Sequence, residues 1–167
     1  FIVGARDGRP FHFPTPTHSK SVDSSLDLFK SPLLGWTNAW DAIGEIQEEE
    51  DDKSLAVGGS WAKLLPSIPE GENYLWHTDR KGGLPLFGWR RRFWTFLLKL
   101  AKDRPSWTVQ SQPGSATGPF HWRNRRLSTR ELCRIQTFPE SYKIVGSRGQ
   151  VQNQLGNAVP SLVAEIL

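Results

Sequence analysis

Proline placement divides this chain more sharply than any other feature. Proline fixes φ and has no amide hydrogen, so it closes helices and is excluded from sheet interiors. Three prolines within RPFHFPTPTHS (residues 9–19) rule out regular structure there. Pro105 and Pro139 each follow an apolar helical pattern and must end it. Pro160 sits where a first helical turn tolerates it, because the amides of that turn lack intrahelical partners anyway.

Between these breaks, apolar periodicity predicts short elements. FIVGAR at the start reads as a strand closed by the turn signal Asp7-Gly8. Trp36, Trp40 and Ile43 recur at helical spacing and predict a short amphipathic helix. Residues 48–52 (EEEDD) read as a solvated loop, and residues 63–85 as a longer one. RRFWTFLLKLAKD is the strongest helical pattern, with Phe93, Phe96, Leu97, Leu100 and Ala101 on one stripe. SWTVQSQ alternates and reads as a strand, followed by a turn at PGSATGP. In RRLSTRELCRIQTFP, Ser128 and Glu131 have capping-box spacing, Leu127 can staple onto Leu132, and Pro139 ends the helix. A last helix is expected from an Asn157 N-cap, with Val159, Leu162, Val163 and Ile166 on one face.

Charge is divided along the chain. Residues 1–80 hold 7 Lys/Arg against 13 Asp/Glu, a balance of −6. Residues 81–167 hold 14 against 4, a balance of +10, which suits a polyanion-binding surface as well as a solvated basic face. Arg90, Arg91, Arg92, Arg123, Arg125 and Arg126 are the candidate contacts, with Arg125 and Arg126 preferred over the cluster at 90–92. At 167 residues the chain fits one domain, and no apolar run reaches the ~20 residues of a membrane helix. The single cysteine, Cys133, excludes an internal disulfide, and no signal peptide is visible, so an intracellular site is expected. His12, His18, His77 and His121 lack metal-ligand spacing, so no metal is expected. His121-Trp122, beside the arginines, is kept as a possible stacking pair. The absence of methionine suggests a fragment or one part of a split protein.

RRLSTRELCRIQTFPESYKI followed by QLGNAVPSLVAEIL resembles motifs nine and ten of the DNA (cytosine-5)-methyltransferases. FIVGARDG resembles the strand after that family's Gln-x-Arg-x-Arg motif, and the intervening segment stands where its target-recognition domain lies. The cofactor motif, the Pro-Cys nucleophile, the Glu-Asn-Val motif and the Gln-x-Arg-x-Arg motif are absent from this sequence. Cys133 lies inside a helical pattern rather than after a loop proline, so no catalytic residue is assigned.

The resemblance implies an α+β chain in three parts. Residues 1–20 would end a catalytic-domain strand, residues 21–150 would form the recognition domain with motif nine, and residues 151–167 would form a returning helix. The first strand and last helix would pack on a missing Rossmann-like domain. Thr108 and Val109, with Gln110, resemble the Thr-Leu/Ile/Val element of family recognition loops, and Arg123, Arg125 and Arg126 would hold double-stranded DNA. Ser128, Arg130, Glu131 and Pro139 belong to the structural motif. Asn157, Ala158 and Val159 would touch S-adenosylmethionine at a helix N-terminus. The whole enzyme would methylate C5 of a flipped cytosine, in a restriction-modification setting that implies the bacterial cytoplasm. The alternative is a stand-alone sequence-specific DNA-binding module, or the recognition subunit of a split methyltransferase.

Overall fold

The computed structural model describes residues 6–20, 33–46 and 53–166. Most of the expected first strand and the EEEDD loop lie outside the described residues. The turn at Asp7-Gly8 is present, with Gly8 at φ +71°. The described residues form a small mixed α+β fold with little regular structure. In chain order it contains β1 (His18–Ser19), β2 (Leu34–Gly35), α1 (Ala39–Ile43), two 3-10 turns (Ala62–Ser67 and Tyr74–His77), α2 (Thr129–Ile135), α3 (Arg148–Asn157) and α4 (Ser161–Ile166). The two short strands pair in parallel, His18 opposite Leu34, and the other β contacts are isolated bridges.

α1 forms where expected but turns a different face inward. Asn38 and Asp41 build a reciprocal capping box at its start. A five-residue helix can bury only one i, i+4 pair, and here that pair is Ala39 and Ile43. Trp36 and Trp40 stay about half exposed. The expected loop over 63–85 instead contains the two 3-10 turns, with Leu65, Ile68, Tyr74 and Leu75 buried.

The helix expected over residues 91–103 does not form. Leu97, Leu98, Lys99 and Leu100 are buried in succession, which no single helix stripe allows. This stretch is hydrogen-bonded on both sides instead. The Lys99 amide donates to Glu72 O (2.9 Å), while Leu97 and Leu100 amides donate to Ala116 O (2.8 Å) and Phe120 O (2.9 Å). Leu97 takes φ +54°, which breaks any regular run. Gly118 is forced by the same packing, because a Cβ there would collide with the Leu98 carbonyl oxygen.

The stretch links two cores. Leu97 joins Ile68, Tyr74 and Leu75 in an aromatic-rich cluster with Trp61, Phe87 and Phe96 around it. Leu100 joins Ile43, Val109, Leu127, Leu132, Val151 and Leu155 in the second. SWTVQSQ, expected as a strand, joins no ladder and bends at Ser111 and Gln112, and Val109 anchors it in the second core.

α2 begins as the sequence dictates, on the Ser128–Glu131 capping box, with Leu127 and Leu132 in one cluster. It stops before Pro139, because Thr137 adopts φ +57°. The C-terminal helix is two helices. α3 starts on a Ser147–Gln150 capping box and runs to Asn157, so Asn157 ends a helix rather than starting one. α3 also crosses the expected boundary at residue 150. Pro160 then separates α3 from α4, and Leu162 and Ile166 of α4 are exposed.

Candidate nucleic-acid interface

A buried polar node organises the base of α2. Glu131 is fully buried and accepts from Arg125 Nη1 and Nη2, both at 2.8 Å. It also accepts the Ser128 amide at 2.9 Å, and His121 Nε2 lies 3.3 Å away. A buried carboxylate is tolerable only with such bidentate, hydrogen-bonded pairing. The Arg123 amide donates to His121 Nδ1 (3.0 Å), so the neutral ring carries its proton on Nε2, toward Glu131. Burial pushes the His121 pKa down to about 4, against the pull of Glu131, and Arg125, Arg123 and Lys102 lower it further.

This node corrects two expectations. Arg125 is buried and committed to Glu131, so it supports the scaffold and offers DNA no exposed guanidinium. His121 is buried and Trp122 is half-buried beside Trp40, so the pair is not an open stacking platform. Arg123 is exposed, and Arg126 is half-buried with Nη2 at 3.4 Å from Ser115 O. Arg130 is exposed and shares Glu140, next to Pro139, with Arg134. The Arg134 hydrogen bond, followed by both arginine charges, holds Glu140 below the usual carboxylate range. Cys133 is half-buried; burial and then Glu140 push its thiol upward, away from a reactive thiolate.

The Thr108–Ser111 stretch is divided residue by residue. Thr108 is exposed, Val109 is buried, and Gln110 is half-buried. The Val109 side chain therefore anchors the segment in the second core. Gln110 Nε2 donates to Thr95 Oγ1 (3.2 Å), and Gln110 O accepts from Gln152 Nε2 of α3 (2.6 Å). Gly156 closes the contact. A Cβ there would reach 2.5 Å from the Gln110 carbonyl carbon and closer still to the Ser111 backbone. The glycine of Gly-Asn-Ala-Val-Pro thus lets α3 lie directly on the candidate reading segment.

The turn after α3 differs from the expected helix-start site. The Ala158 amide donates to Leu155 O, and Asn157 Nδ2 donates to Asn153 Oδ1 (3.0 Å). At the start of α4 the Ser161 amide donates to Gln136 O and the Leu162 amide to Thr137 Oγ1. Those three amides are engaged within the fold, so they are not open to a carboxylate. Asn157 and Val159 are nevertheless exposed, Ala158 is half-buried, and all three can border a ligand. An open groove of about 700 Å³ runs beside them, between α1, Trp107–Val109, the end of α2 and Ala158.

Sequence reasoning missed Lys99, a buried lysine whose Nζ donates to Ile68 O and whose pKa is lowered by burial despite Glu70. It also missed the role of His77. This buried ring accepts the Leu84 amide at Nδ1 (3.1 Å) and meets Ser67 Oγ at Nε2 (2.9 Å), fixing the second 3-10 turn. No sequence spacing signals either role. Among the described residues, no three His, Cys, Asp or Glu side chains converge as metal ligands, and no helix is long and apolar enough to cross a membrane.

A sequence model of the C-5 cytosine-specific DNA methylases matches residues 1–167. The chain belongs to this family. It is 42% identical to the type II methyltransferase M.SacI of Streptomyces achromogenes, over 100% of this chain and 45% of that protein. It is 31% identical to the type II methyltransferase M.NgoFVII of Neisseria gonorrhoeae, over 95% of this chain and 41% of that one. The DNA (cytosine-5-)-methyltransferase M.ApeKI of Aeropyrum pernix is 39% identical over 37% of the chain. The chain therefore spans less than half the length of the first two of these relatives. S-adenosylmethionine is the methyl donor of the family.

Proposed function

We propose that this chain is the target-recognition and C-terminal region of a DNA cytosine-5 methyltransferase. The whole enzyme transfers a methyl group from S-adenosylmethionine to C5 of a cytosine flipped out of duplex DNA. Flipping is required because that carbon cannot be reached inside the stack. The observation that carries this reading is the seating of Gly156 on Gln110 and Ser111. It packs the end of α3 directly against the Gln110–Ser111 backbone, which ties the cofactor side to the base-reading side.

Within this region, the Arg125–Glu131–His121 node is scaffold, and Thr108, Arg123 and Arg126 face DNA. Asn157, Ala158 and Val159 border the cofactor, with Asn157 and Val159 exposed at the turn between α3 and α4. When bound, the cofactor supplies the methyl group. The open groove and the exposed face of α4 receive the catalytic half. The nucleophile belongs to that half, since the raised Cys133 thiol is unsuited to the role.

The experiment is salt-dependent binding of a labelled duplex. The reading expects the logarithm of affinity to fall linearly with the logarithm of salt concentration, as phosphate neutralisation releases counterions. Absence of binding at low salt contradicts it.

A further inference from the structure

We propose that Phe93 is a base-contacting wedge on a rigid arginine-flanked tip, acting where a DNA base step is opened. The inference rests on the DNA-recognition reading and adds a specificity-determining residue to it. Phe93 is 86% exposed, although it follows three consecutive arginines and precedes the buried run at Leu97. An apolar ring so exposed has no partner within the described residues, yet its backbone is held firmly. The buried Tyr74 hydroxyl both donates to Arg92 O and accepts the Arg92 amide, each at 3.1 Å. The buried Asn73 side chain donates to Trp94 O at 2.7 Å. Two buried polar side chains therefore clamp the chain on either side of Phe93. The Phe96 amide donates to Phe93 O (2.9 Å), closing the tip as a turn.

The surroundings suit duplex DNA. Arg90, at φ +56°, and Arg91 are exposed. Arg92 lies over the Phe96 and Trp61 rings at 5.5 and 5.9 Å, which holds its charge at the same face. Arg90, Arg91 and Arg92 make no ion pair among the described residues, so their charge is available to phosphates. The tip also adjoins the candidate reading segment. Trp94 meets the Trp107 ring edge-on at 5.7 Å, beside Thr108, and Thr95 Oγ1 is bonded to Gln110. An apolar ring inserted at an unstacked step, with arginines on the flanking phosphates, is a known chemistry of DNA-distorting proteins.

The test compares binding of this chain to a fully paired duplex and to the same duplex with one central abasic site. The wild-type chain should prefer the abasic duplex by about tenfold, the scale of one base–aromatic stack. Phe93→Ala should abolish that preference without changing the salt slope, and Phe93→Trp should keep it. Arg90→Asn with Arg91→Ser, asparagine being chosen to tolerate the positive φ, should weaken both duplexes alike and reduce the salt slope by about 2. Thermal midpoints should be unchanged, because Phe93 is exposed. If the wild type binds neither duplex, the recognition reading itself fails. If it binds but shows no preference, or Phe93→Ala keeps the preference, the wedge is overturned while the recognition reading stands.

Discussion

Gly156 and Gly149 occupy the same helix and carry opposite expectations. In helix interiors alanine exceeds glycine by about 1 kcal/mol, so either substitution would be favourable on propensity alone. Around Gly149 there is nothing within 4 Å, and Gly149→Ala should stabilise the fold by about 0.5–1 kcal/mol. At Gly156 the new methyl meets backbone of Gln110 and Ser111, which cannot rotate aside. Overpacking of this kind costs about 1–3 kcal/mol and outweighs propensity, so Gly156→Ala should destabilise. Denaturant unfolding of the two variants checks the opposite signs. Gly156 was visible in the sequence as part of Gly-Asn-Ala-Val-Pro, but its reason was not, because Ser111 lies far away in the chain. Arg125 failed for a related cause. A cluster of arginines reads as surface until a buried carboxylate is seen to claim one of them.

At the scale of elements, α2 and its node govern a pH response. His121 is neutral when folded, with a pKa near 4, while in the unfolded chain it titrates near 6.5. Between those values the unfolded state binds the extra proton, so stability falls as pH drops from about 6.5 toward about 4. Above that window its contribution is flat. Glu140, with its lowered pKa, adds a loss only below the ordinary carboxylate value of 4.5. His121→Gln should therefore flatten the dependence of unfolding free energy on pH in the upper window, measured by denaturant titration at several pH values. An unchanged slope contradicts the assignment. Local grammar made α2 legible: Ser128, Glu131 and the Leu127–Leu132 staple are all near in sequence. The same grammar was present at Ser147 and Gln150, but α3 buries only Val151 and Leu155, too sparse a stripe to announce a helix. Residues 91–103 misled for the converse reason. Their apolar spacing fits a helix, yet bonds to residues 71–74 on one side and 116–120 on the other decide the structure.

At the scale of the whole molecule, two cores joined by residues 97–100 carry a basic second half, and an open groove lies beside the Asn157 turn. The likeness over 123–167 was legible because its motifs are contiguous. The split of Thr108, Val109 and Gln110 into exposed, buried and half-buried positions was not, since it depends on contacts with α3. The central claim is that this unit supplies recognition while the chemistry resides elsewhere. It is tested most directly by transfer of labelled methyl groups from S-adenosylmethionine to duplex DNA, with this chain alone and mixed with a separately produced upstream half carrying the Pro-Cys motif. The account predicts no transfer by the chain alone and transfer by the mixture. Methyl transfer by this chain alone would contradict it.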